Sequence, residues 1–177
     1  MSSAQKNGKD FDTHVNNIFK KTNETIVLDE IEISRKYGGE FRAIDSMIIS
    51  RSSYGQARLG AAIFLQYKLH KTKISPRDVT YFLTECDGLS KKVNLPYICI
   101  YISYEGLSEN SIKWVVDYVS KNTNLLNFIS INNKNENILI ENLVQYLYSL
   151  NFNLYEDDGS IIMQDTENDN LKYIINI

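Results

Sequence analysis

The stretch LPYICIYISY, residues 95–104, constrains the fold of this chain more than any other stretch. It is an apolar run rich in β-branched and aromatic residues, and few of its positions are polar. Such a run is typical of a strand that is buried on both faces of a sheet. Helices must then cover both faces, so the sequence predicts an α/β protein.

Helical and strand patterns alternate along the rest of the chain. In ISPRDVTYFLTECDGL, Ser75 is a typical N-cap, Pro76 suits the first helical turn and Gly88 suits the stop. Ser108 is expected to cap a later helix. The remaining predicted elements are a helix over about residues 9–21, strands over 25–34, 41–50, 61–70 and 125–132, and a helix over 138–150. The order αβββαβαβα predicts a mixed central sheet flanked by helices.

Composition limits the class of protein. With 177 residues, of which 43% are hydrophobic, the chain is long enough to bury a core and short enough for one domain. Cys86 and Cys99 lack the spacing of a metal pair or a redox CxxC, and no secretory segment opens the chain. We therefore expect an intracellular location, cytoplasmic or in the nucleus or nucleoid. No apolar run approaches the roughly 20 residues of a membrane helix, so no membrane partner is expected.

Charge divides the chain into two parts. The formal net charge is −3, yet six acids and one base lie between Tyr155 and Ile177, which leaves +2 on residues 1–154. We therefore separate a domain over residues 1–150 from an acidic C-terminal extension over 151–177. Basic residues cluster in the body at Lys20, Lys21, Arg35, Lys36, Arg42, Arg51, Arg58, Lys68, Lys71, Lys73 and Arg77. Such a cluster can neutralise phosphates, although most charge runs are simply solvated surface.

Several enzyme classes lack support in the sequence. Neither a GxxxxGK[ST] loop nor a GxGxxG turn is present, which argues against a nucleotide triphosphatase and a dinucleotide enzyme. His14 and His70 have no zinc-ligand neighbours at the required spacing. The two cysteines fall on a predicted helix and inside an apolar strand, and we expect them to be core or boundary residues, although the sequence leaves a Cys–His nucleophile pair open.

Polar residues interrupt two neighbouring strands. In IFLQYKLHK, residues 63–71, the polar residues Gln66, Lys68 and His70 occupy every second position. Asp45 is a charged residue in the apolar row of FRAIDSMIIS, a placement that is costly unless a cation or a donor meets it. If the two strands pair as a hairpin, Asp45 lies near Gln66 and Lys68. Oxygen ligands for Mg²⁺ beside an ammonium group are what metal-assisted phosphodiester hydrolysis needs.

In these motifs the chain resembles the PD-(D/E)XK nuclease superfamily, and within it the Mrr-type restriction endonuclease branch, whose third motif is QxK. GKDFD is similar to the helix opening G-x-x-F-E of that branch, RAID to its strand aspartate and LQYK to its QxK. These stretches carry Gly8, Phe11, Asp12, Asp45, Gln66 and Lys68. The resemblance spans about residues 8–130. It implies a restriction-endonuclease-like fold for residues 1–150.

The resemblance also implies an activity and a metal site. It implies a Mg²⁺-dependent DNA endonuclease, active in restriction, repair or recombination, with Mn²⁺ as a substitute metal. The implied catalytic residues are Asp45, Gln66, Lys68 and Asp12, and the implied metal ligands are Asp45, Gln66, Asp12 and the Tyr67 carbonyl. The branch usually has Glu where Asp12 stands, so the alternative sources of a third acid are Asp10, Glu30 and Glu32.

The resemblance further implies two kinds of partner. DNA is the first, and its contacts are expected to come from the basic residues Arg51, Arg58, Lys71, Lys73 and Arg77. The first two lie in the long loop SRSSYGQARLG, which joins the two strands of the hairpin. The second partner is another copy of the chain, because a small domain of this kind commonly needs a homodimer to cut both strands.

Structural roles for the same residues stay open from the sequence. Asp45 could be a structural carboxylate paired with Arg42 or Arg58, Lys68 a surface lysine with a buried stem, and Asp12 a solvated helix residue. Two other functions stay open as well. One is a catalytically inactive nuclease-fold module for nucleic-acid binding or protein assembly. The other is a protein-interaction domain whose acidic tail occupies its own basic groove as a DNA mimic.

Overall fold

Six strands form one mixed sheet in the computed structural model, which describes residues 10, 11, 13, 15, 25–39, 41–50, 61–156 and 173–176. The strands are β1 (Thr25–Asp29), β2 (Ser46–Ser50), β3 (Ala62–Lys68), β4 (Tyr97–Ser103), β5 (Leu125–Asn132) and β6 (Tyr173–Asn176). Their order across the sheet follows the chain. The first three strands pair antiparallel, β3, β4 and β5 run parallel, and β6 returns antiparallel to β5.

Helices lie on both faces of this sheet. They are α1 (Glu30–Tyr37), α2 (Pro76–Val93), α3 (Glu109–Lys121) and α4 (Glu136–Glu156), and residues 10, 11, 13 and 15 are also helical. Helices α1, α2 and α3 share one core with the sheet face that carries Phe64 and Tyr101. Helix α4 and Phe11 share the other core with the face that carries Leu65 and Ile100. Every residue of β4 is buried, so the expected α/β class with a mixed sheet between helices is confirmed.

Helix α2 begins as its sequence predicts but ends later. Ser75 is the N-cap, Pro76 occupies the first turn and Asp78 completes a capping box. The expected stop at Gly88 is wrong, because the helix continues through this residue to Val93. It ends at Asn94, which adopts the left-handed conformation with φ 56°.

The predicted strand over residues 25–34 is also wrong in its second half. Strand β1 ends at Asp29, whose Oδ1 accepts a hydrogen bond from the Glu32 backbone N at 2.9 Å. The Glu32 Oε2 accepts in return from the Asp29 backbone N at 3.0 Å. This reciprocal capping box begins α1. The predicted strand over 41–50 is likewise shorter, because residues 41–45 form a turn and β2 begins only at Ser46.

The chain after Leu150 is described only in part. Helix α4 runs through this position to Glu156, and β6 adds to the edge of the sheet at β5. Residues 157–172, which hold most of the acidic extension, lie outside the described residues. None of the described helices combines the length and the apolar character that a membrane crossing needs.

Candidate active site

The register of the β2–β3 hairpin brings Asp45 to the end of β3. Ser46 pairs with Leu65 in the antiparallel ladder, so Asp45 comes opposite Gln66. The Asp45 backbone N donates to the Leu65 carbonyl at 2.9 Å, which holds this residue against β3 although it precedes β2. The hairpin that the sequence analysis assumed therefore exists, and it places Asp45 beside Gln66.

The Asp45 carboxylate is tied to two consecutive residues of β3. Its Oδ2 accepts a hydrogen bond from the Tyr67 backbone N at 2.6 Å and another from the Gln66 Nε2 at 2.7 Å. Hydrogen bonds to an ionised acceptor are shorter and stronger than neutral ones. The carboxylate is half-buried, and these bonds hold it in one orientation at the end of β3.

The nitrogen and the oxygen of the Gln66 side-chain amide differ in their hydrogen bonding. Its Nε2 donates to Asp45, with a longer contact of 3.4 Å to the Tyr67 carbonyl. No hydrogen bond to Gln66 Oε1 is found among the described residues. A rotation of the amide by 180° exchanges nitrogen and oxygen and presents Oε1 to the Asp45 carboxylate side. Such a rotation is unfavourable beside a bare carboxylate and favourable once a cation lies between the two groups.

Lys68 forms an ion pair with Asp78 at the start of α2. Residue alternation puts Gln66 and Lys68 on the sheet face that α2 covers, so the ammonium meets the first turn of that helix. The Ser75 hydroxyl also donates to Asp78, at 2.7 Å. Burial by itself raises the pKa of Asp78, but the hydrogen bonds from Lys68 and Ser75 and the Lys68 charge outweigh it and hold the pKa below its usual value.

Tyr101 forms the inner wall of this region. It pairs with Gln66 in the parallel β3–β4 ladder and is almost fully buried. Burial raises the pKa of Tyr101 far above its usual value, and the negative charges of Asp78 and Asp45 raise it further. The Tyr101 hydroxyl is therefore a neutral group, and its pKa depends on the charge of Asp45 beside the hairpin and of Asp78 in α2.

The remaining candidate residues fall into three groups. Asp12, Arg51 and Arg58 lie outside the described residues. The candidate residues that the structure describes as exposed are Asp10, Glu30, Lys71, Lys73 and Arg77. Glu32 belongs to the capping box of α1. His70 faces its own loop, where Nδ1 lies 2.8 Å from the Thr72 hydroxyl. Phe11 is buried with its ring edge-on to Tyr67, 5.2 Å between centroids, so the N-terminal helical residues reach the far side of the same strand.

The donor set suits a hard divalent cation. The Asp45 carboxylate, the Gln66 amide oxygen and the Tyr67 carbonyl are all oxygen donors, which Mg²⁺ prefers. Mg²⁺ keeps several waters and often uses only one or two carboxylates from the protein. Within the described part of the chain, no group of three His, Cys, Asp or Glu residues could hold a metal ion. Asp12, the acid that the resemblance adds, lies outside the described residues.

Sequence reasoning missed the roles of Asp78 and Tyr101 at this place. In the sequence, Asp78 is one residue of the first turn of a predicted helix, and Tyr101 is one residue of a buried strand. One signal was available for Asp78, because Ser75-x-x-Asp78 has the spacing of a capping box. A helix that begins a few residues after β3 brings its first turn back toward the end of that strand. No comparable signal singles out Tyr101.

Comparison with known proteins adds no relative. No family model matches the chain, and no curated protein or solved structure matches it.

Proposed function

We propose that this protein is a divalent-metal-dependent DNA endonuclease with a restriction-endonuclease-like fold. One observation carries the proposal: Gln66 donates to the Asp45 carboxylate at one end of β3, and Lys68 follows two residues later on the same face of that strand, which is the spacing of the QxK motif. The topology supports it, since an antiparallel hairpin is followed by a helix and a parallel strand. An intracellular location and a homodimer belong to the same proposal.

Each residue has a distinct part in the proposed reaction. Asp45 and Gln66 would hold Mg²⁺ through their side-chain oxygens, with the Tyr67 carbonyl as an additional ligand. The bound ion supplies Lewis-acid polarisation of the phosphate and activation of water. The Lys68 ammonium stabilises the negative charge that grows on the phosphate in the transition state. Tyr101 excludes water from the inner side of the site, because its buried ring packs edge-on against Phe82 of α2.

The Lys68–Asp78 pair favours a second candidate function. While Asp78 neutralises the ammonium, Lys68 has less charge to offer to a phosphate. A nuclease-fold module that binds nucleic acid without cutting it would keep this pair closed. The two functions therefore differ in whether DNA displaces Asp78 from Lys68.

A plasmid-cleavage assay tests the proposal. The wild type is expected to nick or linearise supercoiled DNA with Mg²⁺ or Mn²⁺ and to be inactive in excess chelator. Lys68→Ala and Asp45→Asn are expected to lose at least about 100-fold in rate, because each removes a charge used in the transition state. Lys121→Ala is the matched control, since it removes an exposed Lys–Asp pair at the far end of α3.

The same assay separates the two candidates. Activity of Lys68→Ala equal to that of the wild type would refute the proposed catalytic site. Retention of DNA by a wild type that never cuts it would establish the binding module instead. A Mn²⁺ titration by calorimetry adds a readout that needs no DNA, and Asp45→Asn is expected to abolish the heat of binding.

A further inference from the structure

Three charged residues of α2 lie seven positions apart and contact the segments that carry the candidate site. They are Asp78, Glu85 and Lys92. Seven residues make nearly two helical turns, so these side chains lie on one line along the helix, about 10 Å apart. Asp78 pairs with Lys68 of β3, whereas the other two contact the connection between α1 and β2. One face of α2 therefore holds both the hairpin and the connection that leads into it.

Lys92 holds the first part of this connection. Its Nζ donates to the Tyr37 carbonyl at 2.9 Å and to the Gly38 carbonyl, and it lies 5.2 Å from the centre of the Phe41 ring. Tyr37 is the last residue of α1 and Gly38 is its C-cap, so the ammonium meets the negative end of that helix. This contact stabilises the end of α1, well before Asp45 in the chain.

Glu85 holds the last part of the connection, directly before Asp45. Its Oε2 accepts a hydrogen bond from the Ala43 backbone N at 2.6 Å. Ala43 is buried, and the turn around it is closed by the Ile44 backbone N, which donates to the Phe41 carbonyl at 3.3 Å. A buried backbone N–H that lacks a partner is costly, so the Glu85 carboxylate stabilises this turn in its place on α2.

Asp45 follows the turn and is held from two sides. On the side of β3, its carboxylate accepts from the Gln66 Nε2 and from the Tyr67 backbone N. If the Gln66 amide rotates toward a cation, as the proposed function requires, its Nε2 no longer donates to Asp45. The turn that precedes Asp45 then has a larger share in holding the carboxylate.

We propose that Glu85 is a positioning residue for the candidate metal site. Through the Ala43 backbone it fixes the turn over residues 41–44, and it thereby holds the Asp45 carboxylate where a divalent cation would meet it. Glu85 acts through the backbone and is not itself a metal ligand. The inference deepens the proposed function and rests on it for the choice of a divalent cation as ligand.

A Mn²⁺ titration by calorimetry tests the role of Glu85 without DNA. Glu85→Ala is expected to weaken Mn²⁺ binding by about 10-fold, because loss of a group that orients a metal ligand costs about this much in affinity. Glu85→Gln keeps an oxygen acceptor on a side chain of the same length and is expected to restore most of the affinity. Asp87→Ala is the matched control, since it removes an equal charge two positions further along α2, where Asp87 pairs with Lys91.

Lys92→Ala separates positioning from stability. It removes the contact that holds the first part of the same connection. We expect it to lower the free energy of unfolding, measured in urea, and to leave the Mn²⁺ affinity close to that of the wild type.

Amide hydrogen exchange in the metal-free protein, followed by NMR, gives a second readout. In Glu85→Ala the Ala43 N–H loses its acceptor, and exchange at Ala43, Asp45 and Tyr67 is expected to be faster by about 10-fold or more. Exchange at Ile100 is the internal reference, because this residue is fully buried in β4 and reports on global unfolding.

The inference is overturned if Glu85→Ala binds Mn²⁺ as tightly as the wild type, if either control loses as much affinity, or if exchange at Asp45 and Tyr67 rises no more than at Ile100. Should Glu85→Ala fail to fold, Glu85→Asp replaces it. The carboxylate of that variant is one methylene short of Ala43, so the same effects are expected in smaller measure. Wild-type behaviour of Glu85→Asp would overturn the inference equally.

These outcomes are distinguishable from failure of the proposed nuclease. A wild type that binds no Mn²⁺ refutes the metal site, whereas faster exchange at Asp45 and Tyr67 in Glu85→Ala would still show that Glu85 positions Asp45. A wild type that binds Mn²⁺ and cuts DNA, with Glu85→Ala equal to it in both respects, supports the catalytic site and refutes the role of Glu85.

Discussion

Asp78 joins the candidate site to the stability of α2. One oxygen of its carboxylate receives the Lys68 ammonium, and the other accepts from the Ser75 hydroxyl at 2.7 Å and from the Ser75 backbone N at 3.3 Å. The side chains of Lys68 and Asp78 are 31% and 32% exposed, so water screens their attraction only in part. The residue that completes the capping box of α2 therefore also determines where the Lys68 charge lies.

A pH-dependent loss of stability is expected for Asp78→Asn. The pKa of Asp78 lies below its usual value in the folded protein, so the carboxylate stabilises the fold at pH values above the unfolded-state pKa. This contribution is lost as the pH falls through the folded-state pKa. Near pH 7 the variant is expected to lose about 1 kcal/mol in the free energy of unfolding, and at pH values below the folded-state pKa the two proteins are expected to converge.

Urea unfolding at several pH values measures this difference. Asp117→Asn is the control, because its pair with Lys121 is exposed on both sides and is expected to contribute little. A loss for Asp78→Asn that is as large at low pH as at neutral pH would mean that its charge is not the cause.

Residue pairs differ in how far the sequence could predict them. The pairing of Asp45 with Gln66 follows from two strands that form a hairpin, and alternation along IFLQYKLHK gives the shared face. The pairing of Lys68 with Asp78 requires the path of the chain between Leu69 and Ser75, which no local pattern specifies. Local periodicity thus predicted the contact between Asp45 and Gln66 in the hairpin, but not the contact between Lys68 and Asp78 of α2.

At the scale of elements, the segment that forms α1 was predicted as part of a strand, and the end of α2 was predicted too early. Residues 30–33, EIEI, alternate between charged and apolar residues, which favours a strand. In the structure Ile33 is fully buried, whereas Ile31 is 61% exposed, so the alternation does not reflect two faces of a sheet. The Asp29–Glu32 capping box begins a helix instead. Strands β4 and β5 were predicted well, because burial on both faces leaves a continuous apolar run.

Gly88→Ala is expected to stabilise the protein. Gly88 lies inside α2, its backbone is not in the left-handed region, and a Cβ added there meets nothing within 4 Å. Alanine loses less backbone entropy than glycine on folding, so the free energy of unfolding is expected to rise by about 0.5–1 kcal/mol.

Gly106→Ala is the contrasting control for this measurement. Gly106 has a φ of +71°, and a Cβ there would come within 3.2 Å of the Asn132 side chain. This variant is expected to be destabilised by chemical denaturation, because alanine strains the backbone at that φ. Destabilisation of Gly88→Ala to a similar extent would show that α2 does not run through residue 88.

At the scale of the whole molecule, the candidate site lies where connections after the parallel strands meet. Ile74, after β3, and Leu107, after β4, form a parallel bridge, and the Ile74 backbone N donates to the Gly106 carbonyl at 2.9 Å. The Ser111 hydroxyl of α3 donates to the Ile74 carbonyl at 2.7 Å. In α/β folds this end of the sheet is where ligands bind. Contacts between distant connections of this kind are a tertiary property that the sequence pattern could not predict.

The two cysteines report on the integrity of the core beneath this end of the sheet. Cys86 on α2 and Cys99 on β4 are fully buried in the same cluster, as the sequence analysis expected. Burial raises the pKa of the Cys86 thiol, with a further contribution from Cys99 beside it, so the reactive thiolate is scarce. Neither thiol is therefore expected to react with Ellman's reagent in the native protein near pH 8, and both are expected to react once the protein is unfolded in guanidinium chloride.

The kinetics of this reaction test whether α2 opens from the sheet independently of global unfolding. Because both thiols lie between α2 and β4, exposure of either one requires these elements to separate, and the slow native-state reaction should follow the rate or the free energy of global unfolding. Gly88→Ala stabilises α2 and is expected to slow labelling of both thiols in parallel. Labelling of both thiols that is much faster than global unfolding would reveal local opening of α2. Asp78 would then belong to a mobile element, whereas Asp45, Gln66 and Lys68 would remain on the hairpin.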